Sequence, residues 1–161
     1  MVLIVMGVTG SGKNTVGQAL ATALGWEFHD GDDLHSEANK RKMHLGIPLT
    51  DGDRGPWLSA IRTLIQKMVS EGRNGIVACS ALKQSYRDEL MVDPALVKVI
   101  YLKASSQIIA ERLRNRTGHF MNPELLQSQF DTLEQPRDAI VVDASVSPDA
   151  IVREIKTRLG L

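Results

Sequence analysis

The chain has 161 residues, enough for one domain, 1–161, with a substantial core. A composition of 43% apolar and 24% charged residues is that of a soluble globular protein, and 19 Lys+Arg balanced by 19 Asp+Glu exclude the global basic field of a nucleic-acid or anionic-membrane binder. The single cysteine, Cys79, excludes an internal disulfide and fits a reducing, cytoplasmic setting.

The apolar run VLIVM at 2–6 is too short for a signal segment or a membrane span, and it ends at a glycine. It predicts a buried parallel strand. Residues 13–24 follow as a helix with Val16, Leu20, Ala23 and Leu24 on one face, stopped by Gly25. A second short strand is predicted over 26–29 and a polar helix over 36–44. Residues 46–56, GIPLTDGDRGP, read as a turn-rich connection. Trp57, Ile61, Leu64 and Met68 then recur at helical spacing up to Gly72. A third strand at 76–79 leads to a helix over about 83–91, and a fourth strand at 97–102 leads to a helix at 106–116. After a loop at 117–122, a helix over about 123–133 is expected, with Asn122 as its N-cap and Pro123 in its first turn. A strand at 140–142 and a helix opened by Ser147 and Pro148 complete the chain. Alternating strands and helices imply a mostly parallel sheet covered on both faces, with ligands beyond the carboxyl ends of the strands.

The segment behind the first strand, Gly7-Val8-Thr9-Gly10-Ser11-Gly12-Lys13, has the spacing of a phosphate-gripping loop. Its glycines turn backbone N–H groups toward phosphate oxygens, the following helix N-terminus adds positive potential, and Lys13 serves the β- and γ-phosphates. Asn14 stands where such loops carry a hydroxyl for Mg2+; its amide oxygen still suits a hard cation. Thr15 points about 100° away from Asn14 and is placed against the α-phosphate. ATP binding is therefore expected, with metal positioning impaired.

Beyond the second strand comes DGDDLH. Asp30 and Asp32 share one side of an extended segment, one as a partner of hydrated Mg2+ and the other for a substrate hydroxyl. Arg54 is a candidate for an ion pair with Asp53 or for a substrate carboxylate; Asp53 also suits a helix cap, and Trp57 suits the core. Ser80 leaves the third strand, and Lys83 and Arg87 share a helical face as two cations for an anionic substrate. Arg112 and Arg116 share another face, beside Gly118 as a hinge and His119 as a further substrate contact.

The stretches MGVTGSGKNTVG, FHDGDDLH, KMHLGIPLTDGDRGPWL, CSALKQSYRDEL and GHFMNPELLQSQFDTLEQP, in this order, resemble the small gluconokinases of the shikimate-kinase-like P-loop kinase group. The resemblance implies a three-layer α/β/α kinase fold with a five-stranded sheet and a mobile lid over about 116–134. It implies ATP-dependent phosphorylation of D-gluconate at its 6-hydroxyl, a homodimer, and gluconate held among Asp32, Arg54, Ser80, Lys83 and Arg87. Asn14 departs from the family pattern, which carries serine. Another small-molecule kinase of this architecture and an ATP-binding module impaired by Asn14 are the competing readings.

Overall fold

A computed structural model describes residues 1–116 and 123–161. Its elements are β1 (Val2–Met6), α1 (Lys13–Leu24), β2 (Glu27–Asp30), a short 3-10 helix (Gly31–Leu34), α2 (Glu37–His44), α3 (Asp51–Ser70), β3 (Gly75–Ala78), α4 (Gln84–Leu90), β4 (Val97–Lys103), α5 (Ser106–Asn115), α6 (Pro123–Thr132), β5 (Ala139–Asp143) and α7 (Pro148–Leu159). The strands lie in the order β2-β3-β1-β4-β5, and every pair is parallel.

Side-chain alternation along the strands builds the three layers. In β1, Val2, Ile4 and Met6 face a core formed with Trp57, Leu58, Ile61, Ile65 and Met68 of α3 and Tyr86 and Leu90 of α4. Leu3 and Val5 face the opposite core, with Val16 and Leu20 of α1 and Ile151, Val152 and Ile155 of α7. All five β1 side chains are fully buried, which is why that strand reads as an unbroken apolar run. A third, smaller core of Val8, Leu82, Ile109 and Leu126 seats α5 and α6 against the loop that follows β1.

The chain steps from β1 out to β2, back to β3, and then across β1 to β4. The order thus reverses around β1, and a crevice opens at its carboxyl end, where the glycine-rich loop begins.

One expected connection is a helix instead. Residues 51–56 form the first turns of α3, so the open connection spans only 45–50. Thr50 accepts from the Asp53 N–H at 3.1 Å while the Asp53 carboxylate accepts from the Thr50 N–H at 3.0 Å, a reciprocal cap that outweighs Gly52, Gly55 and the internal Pro56. Lys42 adds an ion pair to Asp53 at 3.0 Å. These bonds hold the Asp53 carboxyl down to about 2, the backbone N–H of Thr50 contributing most. The expected Asn122 cap, the Gly118 hinge and His119 lie outside the described residues.

Candidate active site

The phosphate loop is shaped by Gly10 and Gly12, whose φ values of 81° and 95° lie where a Cβ is strained. Gly12 caps α1 in the left-handed region, no side chain caps the helix, and its first turn carries no acidic residue. The first backbone donors of α1 are thereby left to an anion. Lys13 Nζ donates to the Val8 carbonyl at 3.1 Å, folding over the loop it serves. Burial pushes its ammonium pKa down, against the opposing pull of Asp32. The Ser11 hydroxyl is buried with no hydrogen-bond partner among the described residues.

Among the described residues, two cavities border this loop. The first, about 430 Å3, runs along Gly10, Gly12 and Thr15 and is walled by Arg112, Arg116 and the turn before α7. Arg112 and Arg116 thus share one cleft, as their spacing implies. The Arg112 guanidinium donates to the Gly10 and Ser11 carbonyls at 3.4 and 3.3 Å and to the Ala144 carbonyl, tying the loop to the end of β5.

The second cavity, about 200 Å3, gathers Thr9, Lys13, Asp32, Arg54 and Ser80. Gly31 lets Asp32 approach β3, because a Cβ there would lie 2.6 Å from the Ala78 carbonyl oxygen. Asp30 accepts from the Asp32 N–H at 3.0 Å and so fixes that backbone. Burial raises the Asp32 carboxyl above the usual range, only partly offset by Lys13. Trp57, expected as core, is 3% exposed and also lines this cavity. Its Nε1–H donates to the Gly31 carbonyl at 2.8 Å, and its ring stacks on His35 at 4.2 Å. Burial and the Arg54 charge push His35 down to about 4, so it is neutral at physiological pH.

The sequence pattern singled out neither His35 nor Gln129 of α6, which also lines the cavity. Their partners are distant or modest in kind: a ring stack and a side-chain amide. Only the position of Gln129 within SQF, in a stretch already quoted, marked it at all.

Two expectations are corrected. Arg54 does not pair with Asp53, whose carboxylate is held by Thr50 and Lys42; it lies 3.8 Å from Asp51 and donates to the Tyr86 hydroxyl at 3.1 Å. Lys83 and Arg87 do not act as a pair of free cations: each is engaged by different partners. Lys83 precedes α4 as its N-cap and binds both Asp51 carboxylate oxygens, at 2.9 and 3.1 Å. Arg87 is 3% exposed and lies outside the second cavity. Its guanidinium donates to the Ala81, Leu82 and Glu134 carbonyls and twice to Gln84 Oε1, which uses all five of its N–H groups. The helical spacing itself holds, since the Arg87 N–H donates to the Lys83 carbonyl at 3.2 Å; their partners are what differ.

Asn14 Nδ2 donates to Asp30 Oδ2 at 2.6 Å. Among the described residues, no three His, Cys, Asp or Glu gather into a metal site. A cation carried by nucleotide phosphates needs only one or two protein oxygens, so an amide oxygen beside a carboxylate fits a hard divalent cation.

A nucleotide-type loop at a topological switch point, with a carboxylate and cations in the adjoining cavity, defines a P-loop kinase. The shikimate kinase family model matches residues 9–159, and the chain belongs to that family. Within it, the chain is 45% identical over 156 residues to a gluconokinase of Gluconobacter oxydans, covering 95% of this chain and 88% of that one. It is 49% identical over 152 residues to a probable gluconokinase of Mus musculus, covering 84% and 83%. The crystal structure of a gluconokinase from Sinorhizobium meliloti superposes with a TM-score of 0.88 at 46% identity, over 98% of this chain and 90% of that one. The chain is a member of the gluconokinases.

Proposed function

We propose that this protein transfers the terminal phosphoryl group of ATP to the 6-hydroxyl of D-gluconate. The observation that carries this reading is the second cavity, where Lys13 and Asp32 meet Arg54 and Ser80 at the acceptor end of the phosphate loop. Gluconate is small, anionic and rich in hydroxyls, and this cavity offers a guanidinium, a carboxylate and a hydroxyl. Family membership at this level of identity supports the same substrate.

Backbone amides of residues 9–14 and the Lys13 ammonium hold the phosphates, with Thr15 toward the α-phosphate. Arg112 and Arg116 flank the nucleotide. Asp32 orients the accepting hydroxyl and takes its proton, and Arg54 faces the substrate carboxylate. Asn14 and Asp30 would hold Mg2+, which supplies charge neutralisation when bound with the nucleotide. Positioning and electrostatics supply most of the rate.

No helix among the described residues is long and apolar enough to cross a membrane. The single cysteine fits a cytoplasmic setting, and the family resemblance implies a homodimer, which light scattering in solution tests. Of the expected lid over about 116–134, residues 117–122 lie outside the described residues, while α6 packs against the loop after β1. ADP release measured with D-gluconate, shikimate, related sugar acids and nucleoside monophosphates, with and without Mg2+, tests the activity. Turnover confined to D-gluconate and Mg2+ is expected; turnover with another acceptor and none with D-gluconate overturns the reading.

The Asn14–Asp30 bond makes a second expectation concrete. Asn14→Ser releases Asp30 Oδ2 and restores a compact hydroxyl, so kcat at saturating Mg-ATP rises about tenfold. Calorimetry should show ATP affinity becoming more dependent on Mg2+ in the same variant. An equal or lower kcat shows that the amide is an adequate ligand.

A further inference from the structure

We infer that Gln129 is a positioning residue for phosphoryl transfer: it sets the acceptor end of the phosphate loop by holding Thr9, and it must be electrically neutral to do so. The inference rests on the kinase reading above.

One planar side-chain amide meets one loop residue twice. The Thr9 N–H donates to Gln129 Oε1 at 2.7 Å, and Gln129 Nε2 donates to Thr9 Oγ1 at 2.8 Å. Two bonds from a rigid amide fix the Thr9 backbone and its side chain together, which a single bond does not. Thr9 is the loop residue that borders the same cavity as Lys13 and Asp32. Its placement therefore decides where the loop ends and the acceptor begins.

The platform behind Gln129 is itself fixed. Leu126, one turn earlier in α6, packs with Val8, Leu82 and Ile109. Beyond the helix, the Glu134 N–H donates to the Leu82 carbonyl at 2.8 Å, and Glu134 Oε1 accepts from the Gln84 N–H at 2.9 Å. Gln129 thus reaches Thr9 from an element anchored on both sides. The contact spans 120 residues of sequence, joining α6 to the loop after β1.

The choice of amide has a chemical reason. A glutamate at this position accepts from the Thr9 N–H and from the Thr9 hydroxyl with the same reach. It would place a full negative charge beside the loop that receives the triphosphate, in a cleft of reduced dielectric. Glutamine makes both bonds without that repulsion.

Two variants of the full chain test this. Gln129→Leu keeps the bulk and removes both bonds. It should lower kcat with D-gluconate by about ten- to a hundredfold, with KM for D-gluconate and Tm close to the parent values. Gln129→Glu keeps the geometry and adds charge. Calorimetry should show ATP affinity weakened by about tenfold and ADP affinity changed far less, because the added charge would stand in the cavity with Lys13, at the end of the loop that the kinase reading gives to the terminal phosphate. The nucleotide measurement needs no acceptor, so it stands even if the parent protein phosphorylates no sugar acid, a result that would count against the functional reading alone. A kcat for Gln129→Leu within twofold of the parent overturns the inference, as does equal weakening of ATP and ADP, or weakening of neither, in Gln129→Glu.

Discussion

Asp32→Asn lowers kcat with D-gluconate by about two to four orders of magnitude, the range typical for loss of a positioned general base. Asparagine keeps the size and hydrogen-bonding reach of the side chain, and the backbone stays fixed through the Asp30 carboxylate. What it loses is the proton-accepting charge. Calorimetric ATP affinity should be unchanged or slightly tighter, since a negative group near Lys13 is removed. The pH profile gives a second reading. Burial raises the Asp32 carboxyl, so the acid limb of kcat/KM should lie above the range of an ordinary aspartate and vanish in the variant. The stability sign is opposite to the activity sign. A carboxyl raised in the folded state favours folding below its ordinary pKa, and that contribution is lost as pH rises through the folded value. Above its folded value the ionised Asp32 therefore opposes folding, and in that range Asp32→Asn should melt at the same or a higher temperature than the parent. Parent-like turnover in this variant rejects the assignment of Asp32 as base.

The same distinction between local and distant causes explains what the sequence made legible. β1, the glycine loop and α1 depend on an apolar run, on fixed glycine spacing and on a helical face, all contained within two dozen residues. The acidic turn and Ser80 were legible because the ends of parallel strands fall on one edge. The start of α3 was not, since Gly52, Gly55 and Pro56 mask a cap that depends on reciprocal bonds between Thr50 and Asp53. Lys83 and Arg87 look equivalent in sequence. Their fates diverge through Asp51, which is 32 residues from Lys83, and through Glu134, which is 47 residues from Arg87. Gln129 was hidden for the same reason: nothing near residue 129 announces Thr9.

Arg87 carries the largest expected effect on stability. The chain leaving β3 passes through Ala81, whose φ of 44° is unusual for a residue with a Cβ. Arg87 donates to the carbonyls of Ala81 and Leu82 at 2.7 and 3.0 Å, on the strained residue and its successor, and to Glu134 at 2.7 Å just beyond α6. One buried guanidinium thus joins the turn that presents Ser80 to the segment that anchors Gln129. Lysine has three donors on a tetrahedral head and cannot span the same fork. Arg87→Lys strips the buried Ala81 carbonyl of its guanidinium partner and breaks the fork to Leu82 and Glu134, and should destabilise the fold by roughly 3 kcal/mol, which lowers Tm by about 6–12 °C in a chain of this size. Thermal and urea unfolding measure this. KM for D-gluconate in the folded variant should rise far less than it does in Arg54→Lys, because Arg87 has no N–H left for a substrate while Arg54 borders the cavity. A variant with the parent Tm and a strongly raised KM for D-gluconate would instead make Arg87 a substrate ligand, and would require its bonds to Ala81 and Leu82 to open when the substrate binds.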